Sequence, residues 1–150
     1  VGRHTAAGPA PGIMSPPWFV CLGLDRPHRA APGAVRLGER FLAPGEALLD
    51  RAQRRGLGTV VLSRDPADDG DGAEWLVDRW VACDTHDPRA VLAALRALGG
   101  PVAAVVGGGA ATAVPAASVA RVLGLRGPSP EALALALGPS AAPAAGRDGD

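Results

Sequence analysis

The sequence predicts a small α/β domain: a doubly wound, mainly parallel sheet of four strands with helices on both faces. Three observations carry that expectation. Four short runs rich in Val, Leu and Ala read as continuous apolar strands, without the alternation of a half-solvated sheet. Segments with apolar residues at helical spacing lie between or after them, and strand–helix alternation is the pattern of βαβ units. Gly and Pro, 21 and 15 of the 150 residues, punctuate the boundaries between the two kinds of segment.

Each element follows from local pattern. "PPWFVCLGLD" (16–25) is an apolar run bounded by prolines and Asp25, and reads as a buried strand. "RPHRAAPGAVRLGERFLAPG" carries three prolines and scattered arginines and reads as a long loop. "GEALLDRAQRRG" (45–56) sets Leu48, Leu49 and Ala52 on one helical face and ends at Gly56. "GTVVLSR" (58–64) is a second buried strand and "RWVACD" (79–84) a third. "PRAVLAALRAL" (88–98) spaces Val91, Leu92, Leu95 and Leu98 as a helix, stopped by Gly99-Gly100-Pro101. "VAAVVGGG" (102–109) is the fourth strand, running into glycines. "TAVPAASVARVLGL" (112–125) follows as a helix with Ala116, Val119, Ala120 and Leu123 facing inward, and "SPEALALALG" (129–138) as the last. Residues 1–15 and 139–150 are Ala-, Gly- and Pro-rich and read as disordered flanks of a domain over 16–138.

Composition narrows the chemistry. Formal net charge is zero, which argues against nucleic acid or a membrane surface as a partner. All 15 basic residues are Arg; Lys, Tyr and Asn are absent and Ile13 is the only isoleucine, as in a bacterium with a G- and C-rich genome. Schiff-base lysine chemistry and a lysine-bearing phosphate loop are therefore excluded. Cys21 and Cys83 sit within apolar runs and read as two buried thiols of a cytoplasmic protein. No run approaches the roughly 20 apolar residues that span a bilayer, and "VGRHTAAGPAPGIM" has no apolar export core. The acidic "DPADDGDGAEW" lacks the closing glutamate of a calcium loop and reads as a solvated turn, with no metal.

Two clusters invite a chemical reading. Cys83-Asp84-Thr85-His86-Asp87 brings a thiol, an imidazole and two acids together. Asp87-Pro88 is nevertheless a helix start, Asp84 closes a strand, and Cys83 should point into the sheet, so the cluster reads as a strand-to-helix turn with no catalytic residue. Gly107-Gly108-Gly109 follows a strand and precedes a helix capped by Thr112. Its amides could cradle an anion, although the register matches no dinucleotide fingerprint and the strand is the fourth.

The ordered series "TVVLSRDP", "WLVDRWVACDTHDPRAVLAAL" and "VAAVVGGGAATAVPAASVARVLGLRGPSPEAL" resembles the amino-terminal, pre-ATP-grasp domain of ATP-grasp carboxylate–amine ligases, the superfamily that includes biotin carboxylase. The matching positions are Asp78, Asp84 and Asp87, then Ala116-Ala117, Leu123-Gly124-Leu125 and Ser129-Pro130-Glu131-Ala132, within residues 58–135. The resemblance implies a Rossmann-like fold. It also implies that the loops Gly23-Leu24-Asp25 and Gly107-Gly108-Gly109, with Thr112, face the substrate. The family's ATP- and Mg2+-binding lobes have no counterpart here, since "LALALGPSAAPAAGRDGD" follows instead of a Lys-bearing segment. The chain should then bind no cofactor alone and work only with grasp lobes supplied in trans, as a split or truncated piece. In the last helix Leu133 and Leu137 lie four apart and Leu135 points elsewhere, so residues 129–137 are expected to dock such a lobe or a second copy of the chain. Two alternatives remain: a stand-alone small-molecule or nucleotide-binding module, and a non-catalytic interaction remnant.

Overall fold

A computed structural model describes residues 15–24, 35–37, 40–66 and 73–138. The expected disordered flanks and most of the acidic turn lie outside the described residues. Strands β1 (Trp18–Leu22), β4 (Gly58–Ser63), β5 (Arg79–Ala82) and β6 (Val102–Gly107) form one parallel sheet in the order β5-β4-β1-β6. Helices α1 (Pro44–Arg54), α2 (Pro88–Leu98), α3 (Ala110–Val122) and α4 (Pro130–Leu137) complete the α/β fold, with a single 3-10 turn at Glu74–Leu76 before β5.

Alternation along each strand divides the core into two layers. Phe19, Cys21 and Val61 point to one face and pack with Leu49 and Ala52 of α1 and with Leu76 and Val77. Val20, Leu22, Val60 and Leu62 point to the other and meet Val91 and Leu95 of α2 and Ala116, Val119 and Ala120 of α3. Burying both faces explains why the central strands read as unbroken apolar runs. All six residues of β4 are buried.

The amino-terminal end of the sheet is closed. Trp18 lies so close over Gly58 that a Cβ there would come within 2.6 Å of its ring, and its Nε1 donates to Gly99 O at 2.9 Å. Asp78 ties the approach to β5 onto β4: its Oδ2 accepts from Thr59 N at 2.9 Å and from Thr59 Oγ1 at 3.3 Å. The aspartate ahead of that strand is therefore a clasp within the fold.

Several expectations are corrected. The long loop contains a short antiparallel hairpin, β2 (Val35–Leu37) with β3 (Arg40–Leu42). Strands of three residues carry too little pattern to stand out among prolines and arginines. Leu48 is exposed, because α1 turns Leu49 and Ala52 inward. Leu123 is also exposed, because α3 ends at Val122 and the chain turns at Gly124 with φ +70°. Cys83 lies one residue past β5 and is half-buried, whereas Cys21 is buried; neither is in a disulfide. Thr112 is not the cap of α3. The N-cap is Gly109, and Thr112 sits in the first turn.

Candidate functional site

The chain leaves β1 towards β4 and β5 and returns across the sheet to β6, so the winding direction reverses between β1 and β6. Ligands of open parallel sheets meet the carboxyl ends of the strands near such a point. A cleft of about 300 Å³ lies at that end, between the β1 and β6 loops on one side and those after β4 and β5 on the other. Leu22, Gly23 and Leu24 at the end of β1 and Gly109, Ala111 and Thr112 at the start of α3 form one side. Ser63, Arg64 and Asp65 at the end of β4 and Thr85 and His86 after β5 form the other.

The β1 and β6 loops are locked to each other. Leu22 O accepts from Gly108 N at 3.0 Å and from Thr112 Oγ1 at 2.7 Å. Gly23 takes φ +67° and donates its amide to Leu62 O at 2.7 Å. A Cβ on Gly108 would sit 1.9 Å from Gly23 O, and one on Gly107 would sit 2.7 Å from the Ala113 backbone. Two glycines of the run thus serve close approach of backbone to backbone.

Of the residues expected to face substrate, Gly23, Leu24, Gly109 and Thr112 border the cleft. Gly108 is buried behind it, Gly107 borders a separate apolar groove beneath α4, and Asp25 lies outside the described residues. Thr112 spends its hydroxyl proton on Leu22 O, which makes it a brace for the cleft wall.

The Cys83–Asp87 turn is resolved in detail. Asp87 caps α2, accepting from Arg89 N at 2.9 Å, and Pro88 takes the first helical position. Asp84 Oδ1 accepts from Arg64 Nη2 at 2.6 Å, from Arg64 Nε at 2.8 Å and from His86 N at 3.1 Å. The Arg64 guanidinium, then the His86 amide, hold the Asp84 carboxyl below the usual carboxylate range. Burial, reinforced by the Asp84 charge, pushes the Cys83 thiol up, away from the reactive thiolate. Among the described residues no hydrogen bond joins Cys83 to His86. The cluster is a turn, as its sequence indicates, yet two of its members, Thr85 and His86, border the cleft. Sequence reasoning set them aside. The signal available was their position just past the carboxyl end of a parallel strand.

Among the described residues no three His, Cys, Asp or Glu gather as a metal site, and no helix is long and apolar enough to cross a membrane. No family model, no curated protein and no solved structure matches the chain.

Proposed function

We propose that this chain is the pre-ATP-grasp part of a ligase that joins a carboxylate to an amine using ATP, and that it forms part of the acceptor-substrate side. The observation that supports the reading best is the meeting of the β1 and β6 loops at one cleft. Those are the two loops that the resemblance assigns to the active site, and they are distant in sequence. The cleft offers hydrogen-bonding groups but, in a sequence without lysine, no ammonium to pair with a triphosphate. Such a site suits holding and orienting a substrate rather than breaking its bonds. ATP and Mg2+ belong, in this reading, to grasp lobes outside these 150 residues. The α4 face that carries Leu135 is the surface offered to them.

The test is ATP turnover with and without those lobes. The purified chain with ATP and Mg2+ should release no ADP above a contaminant control. Co-expression with ATP-grasp lobes encoded beside it should give ADP release that depends on a carboxylate and an amine, and Leu135→Glu should lower it. Mg2+-dependent ADP release by the chain alone would overturn the proposal. A melting-temperature rise with ATP alone would instead favour a stand-alone nucleotide-binding module.

A further inference from the structure

We infer that the groove between α1 and β6 is a second binding site, for a small molecule with an apolar body and one anionic head, a medium-chain carboxylate in chemical type. It shares no residue with the cleft and lies at the opposite, amino-terminal end of the sheet, so its ligand is independent of the ligase reading.

The two faces of the sheet are covered unequally. On one face α2 and α3 share the strands between them. On the other, α1 packs on β1 and β4. A helix about 10 Å across covers roughly two strands spaced about 4.8 Å apart. The edge strand β6 therefore lies at the margin of its reach. It also offers little side-chain volume there, because the strand residue beside Phe19 of β1 is Ala104. The result is a groove of about 280 Å³ lined by Phe19, Ala52, Leu57 and Ala104 and by the exposed Leu48.

Charge selects the guest. Among the described residues that line the groove, the polar ones are Arg51 and Arg55. They lie four apart, on the side of α1 that carries Leu48 and Ala52. Among the described residues neither has a hydrogen bond or an ion pair, whereas on the far side of the same helix Arg54 pairs with Asp50 at 2.9 Å. Two like charges at that spacing repel, and an anion between them relieves the repulsion. Long cationic side chains lay their stems on apolar surface and keep their heads in water. A bound amphiphile has its tail over Phe19 and Ala104 and its carboxylate at the rim, where guanidinium forks bind oxyanions through paired N–H donors. A second copy of the chain fits less well. A two-fold contact through this face would gather four arginines with no acid among the lining residues. Arginine in a last turn also complements the helix dipole, a role that predicts no ligand.

The experiment separates these roles by titrating the full chain with octanoate, octanol, octylamine and acetate up to about 3 mM, reading melting temperature and amide shifts. Octanoate should raise the melting temperature saturably and shift the amides of Leu57, Ala103 and Ala104. Acetate lacks the body, and octanol and octylamine lack the anion, so each should bind at least about tenfold more weakly. Arg51→Gln and Arg55→Gln should each weaken octanoate about tenfold, the loss of a charged hydrogen-bonding partner. Neither should lower the melting temperature of the free chain, since each removes a like-charge repulsion. Ala104→Leu, with its fold checked by the amide spectrum, should fill the groove and abolish binding. No response to octanoate, octanol binding as tightly, or full binding by a folded Arg51→Gln/Arg55→Gln double variant would each overturn the inference. Amide shifts at the cleft in place of the groove would do the same. So would a dimer that dissociates on Arg51→Glu, because a second copy would then be the occupant.

Discussion

Helices α2 and α4 begin almost identically and end in opposite circumstances. Each has an N-cap side chain accepting from its first turn, Asp87 from Arg89 N and Ser129 from Ala132 N, at 2.9 Å and 3.0 Å. Each has proline at the first helical position and a glycine after the last. Yet α2 buries Val91 and Leu95 against the sheet, while α4 buries no residue and leaves Leu135 86% exposed. Caps and proline set where a helix starts. What it buries depends on the layer it meets, and among the described residues α4 packs chiefly on α3, with Leu133 bordering a groove beside β6.

The largest effect expected from that contrast is on packing. Leu95→Ala opens a cavity between α2 and the strands and should cost about 2–5 kcal/mol of global stability. Leu135→Ala removes a side chain already in water and should stay within about 0.5 kcal/mol. Urea unfolding of the two variants checks the pair. Equal losses would mean that Leu135 is covered in solution, by association or by another part of the chain.

The same contrast explains what was legible in the sequence. The four strands of the sheet stand out because both faces are apolar, and α2 because Asp87-Pro88 and Gly99 bracket a clear stripe. The β2–β3 hairpin was not legible, since a three-residue strand has no period to detect; the Gly38-Glu39 pair between two short segments was its only signal. Helix α3 starts at Ala110, two residues before the Thr112 read as its cap, because Gly109 takes the N-cap position and Thr112 falls in the first turn. The glycine loops of the cleft could be anticipated from the rule that ligands meet the carboxyl ends of parallel strands. The same rule covers Thr85 and His86, just past the end of β5, but the helix-start pattern of Asp87-Pro88 beside them read more strongly.

A smaller effect separates the two caps. Asp87→Ala and Ser129→Ala each remove one side-chain bond to an orphan amide, worth about 1 kcal/mol to the helix itself. Because α2 is part of the core, its loss should appear in full as a lower urea midpoint. Because α4 buries no residue fully, Ser129→Ala should fray α4 locally and barely move the midpoint. Hydrogen exchange of α4 amides, read beside the global curve, distinguishes the two. A midpoint shift for Ser129→Ala as large as for Asp87→Ala would show α4 to be integral to the cooperative unit.

The smallest expected effect belongs to the ion pair that holds α4 to α3. Arg121 Nη2 donates to Glu131 Oε2, and both side chains are exposed. The Arg121 hydrogen bond, first among the causes, lowers the Glu131 carboxyl below the ordinary glutamate value. A group with a depressed folded pKa contributes stability that is present above its unfolded pKa and is lost as pH falls through the folded one. Solvent screens an exposed pair, so the contribution is slight and confined to α4. Carbon-13 chemical shifts provide the measurement. The Glu131 carboxyl should titrate below the usual glutamate range, and the helical Cα shifts of residues 130–137 should decline through that same midpoint. Glu131→Gln should remove the pH dependence of those shifts. Titration of Glu131 at the ordinary value would mean that the pair does not form in solution, and α4 would then rest on Leu133 and Leu137 alone.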